Sequence, residues 1–159
     1  MKDLIVGIGD FKVSDNPLIG LKTFALGSCI ALMVYDFGKK ISGMFHFALP
    51  DSSISPEKRI SHPAYFADTG IPLFFSELQK KGFVQKTSWI KIAGGANILD
   101  PHYRFDIGRR NILAVKKILW KYNMGVIAED VEGNISRTVR MDTMDGKIEI
   151  SSGGKKWEI

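Results

Sequence analysis

LGSCIALMVYDFGKKISGMFHFALPD, residues 26–51, holds two runs of branched and aromatic residues around a short polar segment. Cys29 to Tyr35 and Ile41 to Leu49 read as strands, and DFGKK (36–40) as the turn between them. Leu21 to Leu26 is a further β-rich run, split from the first by Gly27-Ser28, and Leu4 to Ile8 is a shorter one. The first fifty residues therefore form a meander.

The period changes downstream. Ala67, Ile71, Phe74, Phe75 and Leu78 recur at helical spacing. Pro72 lies inside that pattern, which predicts a kink or a late helix start. The polar, proline-bearing stretch 51–62 reads as a surface loop. Trp89 to Ala93 is a strand that runs into Gly94-Gly95, a tight turn with close backbone approach. A second helix spans about Ile107 to Tyr122, with Asn111, Val115, Ile118, Leu119 and Tyr122 as its inward stripe. Gly125 to Ala128, Arg137 to Met141 and Lys147 to Ser151 read as strands, with Asp145-Gly146 as a hairpin turn. The tail SSGGKKWEI has no clear pattern. Strands outnumber helices, so an α/β fold with helices packed outside mixed sheets is expected.

The 159 residues fit one domain, 1–159. Hydrophobic residues make up 45% and charged residues 25%, which excludes a disordered chain. The net charge of +5 suits an acidic partner. The basic residues are scattered, however, so no nucleic-acid arm is expected. A lone cysteine allows no internal disulfide and fits a reducing compartment. No signal-peptide core and no membrane-length apolar run are present, so a cytoplasmic protein without membrane insertion is expected. His46, His62 and His102 lack metal-ligand spacing, and no phosphate-loop pattern occurs. Neither a metal nor a cofactor is expected.

Cys29 is the candidate nucleophile. A free cysteine beside IALMV is ordinarily a small core hydrophobe. Here it follows a glycine break, where backbone N–H groups of Gly27 and Ser28 can face a developing oxyanion. Met44, His46 and Ala48 share one strand face, as do Cys29, Ala31 and Met33. Pairing through the DFGKK turn brings imidazole and thiol together, the arrangement that activates cysteine hydrolases. Flanked by Phe45 and Phe47, His46 alone would read as a core residue. Thr23, Asp51 and Asp36 are the candidates to orient its ring. Leu113 and Trp120 fall on the basic, outward face of the second helix, among Arg109, Lys116 and Lys117, and suggest a contact site for an acidic, partly apolar partner.

These residues carry a resemblance. LGSCIALMVYD (26–36), GMFHFALPDS (43–52), KIAGGANIL (91–99), IGRRN (107–111) and EGNISR (132–137), in that order, resemble the CheD family of chemoreceptor glutamine deamidases. The resemblance covers nearly the whole chain. It departs from the family at Glu132 and Ser136 and at the interrupted helix around Gly70-Ile71-Pro72. It implies an α/β three-layer sandwich with two main helices, related to the catalytic domain of cytotoxic necrotizing factor toxins. Cys29, His46 and Thr23 match the family's nucleophile, histidine and histidine-orienting threonine. The implied reaction hydrolyses glutamine side chains on the cytoplasmic helices of methyl-accepting chemotaxis receptors. The implied partner is a CheC-type phosphatase, and a module acting mainly by docking on that phosphatase is the alternative. A monomer is the default expectation.

Overall fold

The structure, a computed structural model, describes residues 2–159. Ten strands form two five-stranded sheets. The strands are β1 (Lys2–Ile5), β2 (Asp10–Ser14), β3 (Ile19–Leu26), β4 (Ile30–Asp36), β5 (Ile41–Phe47), β6 (Ser88–Gly94), β7 (Val126–Val131), β8 (Arg137–Asp142), β9 (Ile148–Ser152) and β10 (Lys155–Glu158). One sheet has the order β1-β3-β8-β9-β10, the other β2-β5-β4-β6-β7. Both are mixed, since β1 runs parallel to β3 and β6 parallel to β7. The helices are α1 (Pro56–Ser61), α2 (Ala67–Lys80) and α3 (Ile107–Lys121).

Every residue of β4 and β5 is buried. The reason is that the hairpin is covered on both sides. Ile30, Leu32, Val34, Phe45 and Phe47 pack with the inward stripes of α2 and α3. Ala31, Met33, Tyr35 and Met44 face Leu21, Leu26, Val139, Met141 and Ile150 of the other sheet. Two-sided burial explains why IALMV is an unbroken apolar run rather than an alternating one. Helices, central sheet and second sheet thus make the three layers expected.

Several local expectations are corrected. The stretch 51–62 contains α1, which Pro56 opens at a position where its missing N–H costs nothing. α2 starts at Ala67 and continues through Pro72 without a late start. Pro72 is exposed, so the Asp68 carbonyl it leaves without an amide partner lies on the watery side of the helix. The first strand ends at Ile5, short of Ile8. The edge strands β2 and β10 are additions to the expected elements; β2 packs Phe11 and Val13 on the core from a five-residue strand, and β10 is largely exposed.

Phe45 is fully buried, and its ring meets those of Phe11, Phe47 and Phe74. Phe45→Ala is expected to cost about 3–5 kcal/mol of stability, read from the midpoint of urea unfolding.

Candidate active site

The β4–β5 ladder sets Ala31 opposite His46 and ends at Ile30 opposite Phe47. Cys29 lies two residues before Ala31, just outside the ladder, and packs on the same core face as Ala31 and Met44. Thr23 comes from the other sheet. Just after it, β3 carries an extra residue against β8 between Thr23 and Leu26, and Ala25 within the bulge has φ of 54°. Such bulges turn a strand and re-aim its side chains. Thr23 reaches His46 across the interface between the sheets.

The hydrogen bonds of Thr23 fix the state of the ring. Its hydroxyl donates to the Val6 carbonyl at 2.6 Å, and its oxygen lies 2.8 Å from His46 Nδ1. A carbonyl can only accept, so the single hydroxyl proton goes to Val6. Towards His46 the oxygen is then an acceptor, and Nδ1 carries the proton. Nε2 is left with its lone pair, buried and without a hydrogen-bond partner among the described residues. Burial pushes the His46 pKa down from 6.5 to about 4. The imidazole is therefore neutral at pH 7, with its basic nitrogen held open.

Burial also pushes the Cys29 thiol up, partly offset by its own backbone N–H. Thiol and imidazole are both neutral at rest. Cys29 is half-buried and, with Gly27 and Ser28, lines a pocket of about 630 Å³. His46 and Thr23 are buried and do not line it.

The backbone around Cys29 is held tightly. Gly95 N–H donates to the Cys29 carbonyl and Ala96 N–H to the Gly27 carbonyl, both at 2.9 Å. Asn111 Nδ2 donates to the Ser28 carbonyl at 2.8 Å. No backbone carbonyl takes the N–H of Ser28 or Cys29 among the described residues. Gly94 has φ of 111°, and a side chain there would strike the Cys29 carbonyl. A side chain at Gly108 would strike the Gly95 carbonyl. The close approach expected at Gly94-Gly95 is thus present, with the turn at Gly27–Cys29 as its partner. Arg137, nearly buried, pairs with Asp130 at 2.7 Å and donates to the Glu132 carbonyl, fastening the loop after β7 beneath the pocket.

The other candidates lie elsewhere. Asp36 is buried at the far end of β4 and accepts from Gly38, Lys39, Val84 and Thr87. Asp51 caps the turn at Ser53. Neither bonds His46. Leu113 and Trp120 are 67% and 81% exposed on α3, outside the pocket lining. Sequence reasoning missed the segment 97–106 as a pocket wall. Its signal was a set of large apolar residues without helical or strand period: Ile98, Leu99, Tyr103 and Phe105.

Residues 48–152 match the family model described as CheD chemotactic sensory transduction. The chain belongs to the CheD family. That match begins two residues after His46, but curated CheD relatives span the site as well. "Probable chemoreceptor glutamine deamidase CheD" of Syntrophotalea carbinolica is 46% identical over 162 residues, covering all of both chains. "Probable chemoreceptor glutamine deamidase CheD 1" of Syntrophus aciditrophicus is 46% identical, over 97% of this chain and 96% of its own. The protein of the same name from Solibacter usitatus, without the numeral, is 43% identical over all of this chain and 94% of its own.

The unfolded chain binds a proton at His46 near 6.5, whereas the folded protein refuses it until about pH 4. Stability from this group is complete above 6.5 and declines as pH falls towards 4. Imidazole nitrogen NMR is expected to show the proton on Nδ1 and a bare Nε2 throughout the range above the folded value. A ring protonated on Nε2 at neutral pH would contradict the hydrogen bonding of Thr23.

Proposed function

We propose that the protein is a protein-glutamine deamidase that converts glutamine side chains of chemoreceptors to glutamate, with Cys29 as nucleophile, His46 as base and Thr23 holding the ring. The observation that carries this is the one-way hydroxyl of Thr23, which leaves Nε2 as an open base on the face that carries the thiol. The names of the full-length relatives supply the substrate class.

Nε2 removes the thiol proton as sulfur attacks the carboxamide carbon. Because both groups start neutral, this proton moves during the attack rather than before it. The backbone N–H groups at Gly27, Ser28 and Cys29 are the donors nearest the carbon–oxygen bond that gains charge. His46 then gives its proton to the departing nitrogen, and ammonia leaves a thioester. Water, deprotonated by the same nitrogen, attacks that thioester, and the thiol regains its proton. The sum is glutamine plus water giving glutamate plus ammonia, and no step calls for a cofactor. The pocket lining carries Asp100, Asp106 and Glu132 against Arg109. It favours a neutral amide over the carboxylate product, which helps release.

No helix among the described residues is long and apolar enough to cross a membrane. With receptor cytoplasmic helices as substrate, the protein works in the cytoplasm as a single-domain monomer. The exposure of Leu113 and Trp120, which no element of this fold covers, supports a docking surface there for a CheC-type phosphatase.

A glutamine-bearing receptor cytoplasmic fragment incubated with the protein should gain about 1 Da per site by mass spectrometry as –NH2 becomes –OH. Cys29→Ala should abolish the gain, and His46→Ala should slow it by about 10²–10⁴-fold. Thr23→Val should lower kcat by less than His46→Ala does. A fully active Cys29→Ala variant would falsify the scheme. Trp120→Ala should leave turnover intact and weaken phosphatase binding.

A further inference from the structure

We infer that Asn111 is a positioning residue that sets the separation of Cys29 from His46, acting through two backbone carbonyls. It rests on the deamidase chemistry proposed above. Asn111 lies on the inward face of α3 and is fully buried. Its Nδ2 donates at 2.8 Å to the Ser28 carbonyl and at 2.9 Å to the Ala48 carbonyl. A side-chain amide has two hydrogens on nitrogen, so both are used here. The orientation is fixed, because a flipped amide would set its oxygen against two acceptors.

The two carbonyls flank the reacting groups. One belongs to the residue before the nucleophile, the other to the second residue after the base. The ladder joining β4 to β5 ends at Ile30 and Phe47. Past that point the Ala48 N–H turns away to the Tyr65 carbonyl, and the Cys29 carbonyl turns to Gly95. The two backbones part just where the site opens, and the amide fork of Asn111 spans the split. Asn111 Oδ1 is buried with no partner among the described residues. An apolar side chain of similar size would fill the space without that orphaned atom, so the value of the amide lies in its two donors. Asn111 does not line the pocket. Its influence is therefore on the alignment of thiol and imidazole and not on substrate affinity.

The test compares Asn111→Leu, which keeps the branched shape and removes both donors, with Asn111→Ser, which keeps one donor and serves if the larger leucine does not fold. Turnover of the receptor fragment should show kcat lowered by about 10²-fold in Asn111→Leu and KM changed by less than about threefold, with Asn111→Ser between it and the parent. The rate of Cys29 alkylation by iodoacetamide, followed against pH, should shift in Asn111→Leu to the profile of His46→Ala. A folded Asn111 variant with parental kcat, or with lowered kcat and the parental alkylation profile, overturns the positioning role. Cys29→Ala is run alongside. Turnover by that variant would overturn the underlying chemistry instead, so the two failures are told apart.

Discussion

A hairpin buried on both faces can hold a histidine only if the ring is neutral and its hydrogen bonds are prescribed. Charging an imidazole there has no compensating partner, since the Thr23 oxygen and the Val6 carbonyl behind it form a one-way chain. The same burial that makes β4 and β5 the centre of the fold also selects the tautomer of His46. Fold and protonation state are coupled at one residue: the core around the ring leaves Nε2 unpartnered and unprotonated at neutral pH.

The second sheet earns its place in this arrangement. Without β3 and its bulge, no hydroxyl would reach the ring from the far side. The bulge also ends the regular run of β3 and lets Leu26 turn into the core while Gly27 and Ser28 swing to the pocket. From the opposite direction, Gly94 and Gly95 close β6 against the Cys29 turn, and Gly108 lets α3 press onto them. Motifs separated by as many as eighty residues along the chain are one contact cluster in space. Each glycine there is a place where two backbones touch.

Much of this was legible in the sequence because it depends on local period. The central hairpin, both long helices and the shared face of Cys29 and His46 follow from alternation and helical spacing. The edge strands β2 and β10 were missed because each is only four or five residues long, too short for its period to stand out, although Phe11 and Val13 of β2 do pack on the core. Pro72 misled because its cost depends on which side of the helix it occupies. Thr23 was one of three candidates for the partner of the ring, and it bonds His46 from another sheet, a placement that no strand period reveals. Asn111 was placed on the inward stripe by spacing alone, and nothing in a periodic pattern reveals that a buried amide there would reach two carbonyls from different segments. The neutral resting state of the thiol was equally out of reach, because it depends on burial rather than on neighbours in the chain.

Buried polar atoms without partners are costly and few in folded proteins. Two of those here, His46 Nε2 and Asn111 Oδ1, belong to residues that flank the Cys29 turn. A core selected only for stability would have replaced both side chains with apolar ones of the same size. Their presence marks the end of the β4–β5 hairpin as the part of the fold least explained by packing alone. The two atoms differ in kind, however. Nε2 is the free nitrogen of a ring whose other nitrogen is held by Thr23, so its lack of a partner follows from the fixed tautomer. Oδ1 is the unused half of an amide whose other half is fully engaged, so its lack of a partner is a consequence of holding two strands at a fixed separation.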